Sequence, residues 1–322
     1  VLKWYKKHGR NNLPWKVKDP YKIWISEIML QQTQVTTVIP YYLKFINKYP
    51  NLKSLASAHL DDLMLIWSGL GYYRRIKNIH LSSQIIAREH NYNFPHKYDD
   101  ILSLPGIGRT TASAISTFSG FSNKAILDGN VKRILIRFYE IEEQNKTILE
   151  KKLWNKSVSI TPLKNTSDFI QGMMDIGSVI CKRVNPECYR CPLKSIGCTY
   201  SPIRKKEKKI KKKIKDVRMN LIVLINQNNQ IYLEKIKVGM LWQGLYSSPI
   251  FTLNSHRNKW MLQNNISDLK TIYQSNIIHR VTDKKIMFNT FFYFLKNDKK
   301  VSLSTKNWYN LANINVGVPK YQ

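Results

Sequence analysis

Two acidic residues lie in segments where a carboxyl group could do chemistry, and together they could cleave a glycosidic bond. Glu27 lies in the otherwise apolar segment YKIWISEIMLQQTQV. Asp128 lies in ILDGNVKRIL, directly before a predicted helix start, with Asn130 two positions later. Glycosidic cleavage needs one carboxylic acid kept protonated by an apolar setting and one carboxylate that faces the positively charged sugar. The ordinary alternatives are an exposed Glu and an Asp that only caps a helix.

A tight glycine turn lies between these two acids, in the stretch SLPGIGRTTASAISTF. A dinucleotide-binding turn would need a preceding strand and a third glycine, but YDDILSL precedes this turn and Thr111 occupies the third-glycine position. The pattern instead favours a helix-hairpin-helix, in which Gly106 and Gly108 let the backbone approach a DNA phosphate. Such contacts position DNA without reading its sequence. An ordinary turn between two helices is the alternative.

All four cysteines lie within one short segment, which favours a metal site over a disulfide framework. The spacing is Cys181-x6-Cys188-x2-Cys191-x6-Cys198. Four thiolates can hold either zinc or a [4Fe-4S] cluster, and the spacing alone does not choose between them. Four basic residues in the same segment indicate that the metal-folded loop also contacts DNA: Lys182, Arg183, Arg190 and Lys194.

The elements that must position these residues fall into three regions, 1–200, 201–216 and 217–322. Between residues 19 and 180, apolar residues mostly recur at helical spacing, which predicts a mainly α domain. The basic segment SPIRKKEKKIKKKIKD, residues 201–216, predicts either a solvated linker or a tether that contacts DNA. The later runs VRMNLIVLINQNNQIYLEKI and IMFNTFFYFL predict strands, so residues 217–322 are expected to form a smaller α+β domain.

The length of the chain is consistent with two domains, and its net charge indicates the kind of partner. A chain of 322 residues exceeds the usual size of one domain. Its 52 Lys and Arg against 21 Asp and Glu give a net charge of +31, which favours nucleic acid as the partner. An AT-rich genome, which favours Lys and Asn codons, accounts for part of that excess. Neither a membrane-spanning run nor the layout of a signal peptide is present, so we expect a cytoplasmic protein.

Seven motifs occur in one order over residues 1–200: LPW, SEIMLQQTQV, GLGYYRR, LPGIGRTTA, LDGNVKR, QGMMDIG and the cysteine segment. In this order they resemble the helix-hairpin-helix DNA glycosylases with an iron-sulfur cluster, most closely the MutY-type adenine DNA glycosylases. The resemblance implies a monomeric, monofunctional enzyme of base excision repair. It implies that the enzyme removes adenine opposite 8-oxoguanine or guanine in double-stranded DNA, and that its carboxy-terminal part is a Nudix-like lesion-recognition domain.

The resemblance also implies roles for individual residues. Glu27 would protonate the leaving adenine, Asp128 would stabilise the oxocarbenium sugar, and Asn130 would hold the local network. Trp15 and Gln171 would line the pocket of the flipped adenine. The remaining implied DNA contacts are Gln32, Thr33, Leu70, Tyr72, Gly106, Gly108 and Thr110, and the implied ligands of a [4Fe-4S] cluster are Cys181, Cys188, Cys191 and Cys198. Among the DNA contacts, Gln32 and Tyr72 would wedge into the base stack.

The residue at position 110 distinguishes two related classes of enzyme. Bifunctional endonuclease III-type enzymes carry a lysine nucleophile at this position, which leads to strand cleavage through a Schiff base. Threonine here predicts a monofunctional glycosylase. A bifunctional enzyme for pyrimidine lesions and a non-catalytic lesion-binding protein are the alternatives.

Three features of the sequence depart from the family pattern. The last cysteine interval has six residues where the family usually has five. The carboxy-terminal region has Glu234 as its one Glu, so it lacks the carboxylates that hold magnesium in a Nudix hydrolase. Val281-Thr282-Asp283 stands where the family tends to have Phe-Ser-His. We therefore expect weaker preference for 8-oxoguanine over guanine, unless a neighbour such as His279 takes over the contact.

Overall fold

The computed structural model describes residues 1–201, 214–237, 239–267, 269–281, 284–296 and 301–321. Most of the predicted 201–216 tether and residues 282–283 lie outside these ranges. The described residues form two compact units. The first unit holds residues 1–57 and 77–201, and the second holds residues 58–76 together with the described residues from 214 to 321. Among the described residues, no helix is both long and apolar enough to span a bilayer.

The first 201 residues are helical, as predicted. Their α-helices are α1 Leu2–His8, α2 Pro20–Leu30, α3 Val35–Lys48, α4 Leu52–Ala56, α5 Leu60–Ile66, α6 Arg74–His90, α7 Tyr98–Ser103, α8 Arg109–Phe118, α9 Gly129–Phe138, α10 Lys146–Ile160 and α11 Thr166–Asp175. Helix α5 belongs to the second compact unit.

Helix α2 shows why these segments fold as they do. It begins with Pro20, whose fixed φ suits the first helical position, and Asp19 caps it by accepting hydrogen bonds from the backbone N–H groups of Tyr21 and Lys22. Seven of its eleven residues are buried. Glu27 is therefore the one acidic residue carried on a helix that is held almost entirely by its apolar packing.

A short π-helical turn joins α11 to the cysteine segment. The π-helical turn Ile176–Ile180 follows α11 directly, and the backbone N–H of Cys181 donates to the carbonyl of Ile176 at 2.7 Å. Two short 3-10 turns, Cys188–Arg190 and Lys194–Ile196, follow. The core formed by α9, α10 and the π-turn packs against Cys181, Cys191 and Cys198. The cysteine segment is thus built onto the end of the helical core.

The second unit contains a sheet, which confirms the predicted α+β region. Its elements from residue 214 on are β1 Lys215–Asn226, β2 Gln230–Tyr232, β3 Glu234–Lys235, β4 Tyr246–Ser247, β5 Ile250–Phe251, α12 Asn254–Gln263, β6 Tyr273–Val281, β7 Lys284–Leu295 and β8 Trp308–Asn310. The main sheet has the order β6-β7-β1-β2-β8, with β5 also paired to β1. Strands β1 and β7 are parallel, and the other pairs are antiparallel.

Strand β1 is the centre of this sheet and is buried on both faces. Leu221 and Val223 join one apolar cluster, and Ile222 and Leu224 join the cluster on the opposite face. This follows from the alternation of side chains along a strand. The continuous apolar run in the sequence is therefore explained by a central strand covered on both sides.

Candidate active site

A cleft of about 610 Å³ opens in the first unit beside α2 and α11. Three residues singled out in the sequence line it: Trp15, Glu27 and Gln171. The other lining residues are Tyr5, Lys16, Val17, Lys18, Ile23, Ser26, Thr117, Phe118, Ser119, Gly120, Ser167 and Asp168. Its volume falls in the range of pockets that enclose a small organic group.

Glu27 lies in this cleft with its carboxyl group largely removed from water. Burial raises the pKa of Glu27 to about 7, and the negative charge of Asp128 contributes in the same direction. Both effects penalise the charged form of the carboxyl group. Near neutral pH a large fraction of Glu27 is therefore protonated and able to donate a proton.

Asp128 caps helix α9. Its carboxylate accepts hydrogen bonds from the backbone N–H groups of Asn130 at 3.0 Å and Val131 at 2.7 Å, and from the side-chain amide of Asn130 at 3.0 Å. Burial raises the pKa of Asp128, while these three hydrogen bonds and the charge of Arg133 oppose that rise. The surroundings of the two carboxyl groups thus differ. Hydrogen-bond donors around Asp128 favour its charged form, whereas burial and a nearby negative charge favour the neutral form of Glu27.

Arg133 extends the network from Asp128 to the cysteine segment. Its guanidinium donates to Oδ1 of Asn130 at 2.8 Å, to the carbonyl of Cys181 at 2.6 Å and to the carbonyl of Gly177. A Cβ at position 177 would lie 2.5 Å from the Cβ of Asn130, so glycine permits this close approach. The π-turn and the start of α9 are therefore packed directly against each other.

The walls of the cleft are fixed by contacts that the sequence analysis missed. Trp15 is buried and packs edge-on against Tyr42, with ring centroids 5.4 Å apart. The guanidinium of Arg10 forms a salt bridge of 2.6 Å with the buried carboxylate of Asp175, and the Arg10 backbone N–H donates to the same carboxylate at 2.8 Å. These bonds hold the segment that carries Trp15 against α11, which carries Gln171.

Three charged residues in the cleft, Lys16, Lys18 and Asp168, were also not predicted. Asp168 lies three residues before Gln171 on α11, so the two side chains share one helix face, and this spacing was a usable signal. Lys16 donates to the Asn11 side-chain oxygen at 2.8 Å and to the hydroxyl of Tyr5. Burial lowers the pKa of Lys16, and Asp175 and Asp168 oppose that fall. Its position depends on the course of a loop, which spacing in the sequence does not give.

The glycine turn has the predicted helix-hairpin-helix form, with α7 before it and α8 after it. Gly106 has a φ of +81°, and a Cβ there would lie 2.5 Å from the side-chain nitrogen of Asn78. Gly108 is exposed, caps α8 and has open space where a Cβ would point. The hydroxyl of Thr110 donates to the carbonyl of Leu127 at 3.2 Å, which ties α8 to the residue before Asp128.

The other four predicted DNA contacts lie in two loops, one in each unit. Gln32 is exposed with a φ of +56°, and the hydroxyl of the adjacent Thr33 donates to the carbonyl of Gln31 at 3.3 Å. In the second unit, Tyr72 is exposed with a φ of +50°, while Leu70 is buried. Gln32 and Tyr72 therefore share an uncommon left-handed backbone conformation at exposed positions.

The four cysteine thiols are free and line one small cavity of about 20 Å³ together with Arg137 and Tyr200. The Arg137 guanidinium lies 3.3 Å from Sγ of Cys181 and also donates to the carbonyl of Lys182. Burial raises the pKa of Cys188 and of Cys191. Among the described residues, no three Cys, His, Asp or Glu side chains are close enough to hold a single metal ion. The donor set thus surrounds one cavity without forming a compact single-ion site.

Comparisons with known proteins agree with this geometry. Residues 25–157 match the family model described as HhH-GPD superfamily base excision DNA repair protein. The chain is 41% identical to the adenine DNA glycosylase of Buchnera aphidicola subsp. Baizongia pistaciae, over 99% of this chain and 92% of that protein. It is 34% identical to the adenine DNA glycosylase of Mus musculus, over 64% of this chain and 42% of that protein.

Solved structures show the same helical fold. A thermostable thymine-DNA glycosylase superposes with a TM-score of 0.57 at 26% identity, over 62% of this chain and 92% of that chain. A non-covalent endonuclease III–DNA complex gives a TM-score of 0.53 at 21% identity, over 61% of this chain and 89% of that chain. The second likeness supports the fold alone.

Proposed function

This chain belongs to the adenine DNA glycosylases of the helix-hairpin-helix superfamily, which bind DNA and hydrolyse the N-glycosyl bond of adenine in base excision repair, and we propose that its substrate is adenine opposite 8-oxoguanine or guanine. The observation that carries the proposal is the pairing of Glu27, with its raised pKa and its place in the cleft, with Asp128, whose charge acts on it.

We propose that Glu27 is the general acid. Its protonated carboxyl donates to a ring nitrogen of adenine, so that the base leaves as a neutral molecule when the C–N bond breaks. The bonding electrons go to the base, and the sugar becomes an oxocarbenium ion. Asp128 stabilises that cation through its negative charge until water attacks, and Asn130 holds the carboxylate of Asp128 in place.

The cleft supports binding of an extruded adenine. An enzyme that acts on a base in duplex DNA must take that base out of the stack. Trp15 offers an aromatic wall and Gln171 an amide that can both donate to and accept from the edge of the base. Gln32 and Tyr72 are proposed to enter the stack, with Thr33 and Leu70 beside the opposite base.

Thr110 supports a monofunctional reaction. Its hydroxyl is engaged with the carbonyl of Leu127, and it carries no amine that could form a Schiff base with the sugar. Gly106 and Gly108 are proposed to bring backbone N–H groups to a DNA phosphate, aided by the positive end of α8.

We propose a [4Fe-4S] cluster held by Cys181, Cys188, Cys191 and Cys198. The chemistry of the donors fits, because four thiols line one cavity beside the cationic Arg137. A single ion needs its ligands close together, whereas a cluster binds each thiolate to a different iron and so separates them. The cluster would fold this loop, and no step of adenine excision passes through it. Four irons per chain after anaerobic purification would support the assignment, and zinc without iron would contradict it.

Residues 1–200 are proposed as the glycosylase domain, 201–216 as a basic linker and 217–322 as a Nudix-like recognition domain of a monomeric enzyme. In the recognition domain, the ring of His279 packs edge-on against Trp242 and Tyr321, at centroid distances of 5.6 and 5.8 Å. Burial and Lys320 lower the pKa of His279, so the neutral ring has both a donor and an acceptor. This supports His279 as the replacement for the histidine missing at position 283.

One assay tests the proposed substrate and reaction together. Single-turnover excision is measured on duplexes with adenine opposite 8-oxoguanine, guanine and thymine, with and without alkali. We expect excision opposite the first two bases and strand breaks only after alkali. Strand breaks without alkali would support a bifunctional enzyme, and binding without any excision would support a lesion-binding protein.

The same assay addresses lesion preference. If the Val281-Thr282-Asp283 segment has lost a contact, Asp283→His should raise the ratio of the rates opposite 8-oxoguanine and guanine by about five- to 150-fold, the value of one hydrogen bond. If His279 supplies the contact, His279→Ala lowers that ratio and Asp283→His leaves it unchanged.

A further inference from the structure

The loop that presents Tyr72 is held in one conformation by its own hydrogen bonds. The carbonyl of Gly71 accepts from the indole nitrogen of Trp67 at 3.0 Å and from the guanidinium of Arg75 at 3.1 Å. The backbone N–H of Gly69 donates to the hydroxyl of Tyr73 at 3.1 Å. These bonds fix the backbone at Gly69 and Gly71, directly before residue 72.

Tyr72 itself combines exposure with an unfavourable backbone. The residue is 46% exposed, and its φ of +50° lies in the left-handed region that non-glycine residues rarely adopt. The Arg75 guanidinium lies 5.3 Å from the centroid of its ring. A strained residue persists only where the surrounding structure imposes its conformation, so the contacts around this loop decide whether Tyr72 stays in place.

Part of that surrounding structure comes from Gly317 and Val318. The hydroxyl of Ser68 donates to the carbonyl of Val318 at 2.7 Å. A Cβ on Gly317 would lie 2.8 Å from the carbonyl oxygen of Met64, which is backbone and cannot move aside as a side chain can. The carboxy-terminal segment is therefore in direct backbone contact with α5, the helix that leads into the loop.

A second contact joins the start of α5 to a separate two-stranded sheet, in which β3 pairs with β4. Asp61 forms a salt bridge of 2.6 Å with Lys235 on β3 and accepts a hydrogen bond of 3.2 Å from the hydroxyl of Tyr246 on β4. The backbone N–H of Tyr246 also donates to the carbonyl of Gly317 at 2.8 Å. Tyr246 thus connects both contacts, at Asp61 and at Gly317, into one support for the helix.

We infer that Asp61 and Gly317 are positioning residues for Tyr72, through which the carboxy-terminal part of the chain promotes the opening of the base stack. The inference rests on the proposed role of Tyr72 as a wedge. It gives the carboxy-terminal part a second task besides recognition of the base opposite adenine: it holds α5 and the following loop, so that the exposed ring is presented in a fixed direction.

The test uses the full chain and two readouts. One is single-turnover excision from a duplex with adenine opposite 8-oxoguanine. The other is the fluorescence of 2-aminopurine next to the mispair, which rises when stacking is lost. Gly317→Ala should lower the excision rate about tenfold, because small misplacements of a binding element cost at least this much. It should also reduce the fluorescence rise, while affinity for undamaged duplex stays unchanged.

Asp61→Asn is the milder variant, and it guards against an effect of Gly317→Ala on folding. It should lower both readouts by about twofold, since a partly exposed ion pair contributes little. Glu89→Gln breaks an exposed ion pair of similar length, 2.7 Å to Arg88 on α6, and serves as the matched control, with both readouts unchanged. Normal fluorescence and normal excision in Gly317→Ala would overturn the inference.

Combination with Tyr72→Ala separates this inference from the role proposed for Tyr72. If Gly317 acts through Tyr72, the double variant is no slower than Tyr72→Ala alone, and multiplying losses would overturn the inference. If Tyr72→Ala itself keeps full excision and full fluorescence, the wedge role of Tyr72 fails and the inference fails with it. If Tyr72→Ala loses both readouts and Gly317→Ala loses neither, the inference alone fails.

Discussion

Glu27 and Glu234 are two glutamates in different compact units, and burial is the largest cause of a raised pKa at both. Their surroundings differ. The carboxyl of Glu234 accepts hydrogen bonds from the side chains of Tyr232 and Trp260, and Lys237 opposes the rise of its pKa. The carboxyl of Glu27 borders a cleft of about 610 Å³ and is affected by a second carboxylate, Asp128.

The difference between the two sites shows which features make a buried carboxyl a catalyst. A raised pKa follows from removal of water and occurs in structural positions as readily as in functional ones. Glu234 has its hydrogen bonds satisfied by aromatic neighbours and stabilises its own surroundings. Glu27 has room for a substrate beside it and a partner that can stabilise a cation. The cleft and the second carboxylate therefore distinguish Glu27 from Glu234, and the raised pKa alone does not.

The largest expected effect comes from replacing the two glutamates in parallel. Glu27→Gln keeps the shape of the side chain but removes the acidic proton, so adenine excision should fall by about 100- to 10,000-fold. Glu234→Gln should leave the excision rate near that of the unmodified chain. Single-turnover rates on the 8-oxoguanine duplex measure both. Equal losses in the two variants would mean that the comparison between the sites is mistaken.

The second carboxylate is tested by Asp128→Asn. Asparagine caps a helix as well as aspartate does, so α9 should remain intact while the charge facing the sugar is lost. We expect excision to fall by about 100- to 1,000-fold, the usual cost of removing one stabilising group from a charged transition state. Asp19→Asn, the same change at the cap of α2, is the matched control and should keep its activity. A fully active Asp128→Asn variant would exclude charge stabilisation by this residue.

The raised pKa of Glu27 should also affect the stability of the fold. A carboxyl whose pKa is higher in the folded than in the unfolded chain destabilises the fold as the pH rises through that interval. With a pKa of about 7, Glu27 should make the chain less stable above neutral pH than Glu27→Gln, by on the order of 3 kcal/mol. The difference should vanish as the pH falls to the ordinary range of glutamate. Denaturant unfolding at several pH values measures it, and a constant difference would contradict the raised pKa.

The smallest expected effect is the pH dependence of excision. Because the acid must be protonated, the single-turnover rate should decline above a pH of about 7, approaching tenfold per pH unit. The duplex is bound at saturation, so that changes in affinity do not enter. The residual rate of Glu27→Gln should lack this decline. A decline that persists in Glu27→Gln would assign the titration to another group.

Much of this molecule could be predicted from local sequence. The apolar setting of Glu27, the cap formed by Asp128 and the two glycines of the hairpin follow from spacing within a few residues. The helical region and the strands β1, β2 and β7 follow from hydrophobic periodicity.

The remaining features depend on contacts between distant segments. Lys16 and Asp168 enter the cleft because of the course of a loop and the packing of α11. Arg10 and Asp175, paired across the unit, lie 165 positions apart. Cysteine spacing does not choose between zinc and iron, because both use thiolates. Neither propensity nor periodicity reports such pairings.

The contact between Met64 and Gly317 has a consequence for biosynthesis. Gly317 leaves the ribosome about 250 residues after Met64, which at the usual rate of translation is a delay of roughly 10 to 50 seconds. During that interval α5 and the loop after it exist without the carboxy-terminal residues that later bind them. A nascent chain that has already formed its catalytic cleft therefore still lacks the contacts that hold Tyr72 in position. Full activity should appear only after residues 317 and 318 have left the ribosome and packed against α5 and the loop after it, and a truncation before Gly317 should therefore lower excision.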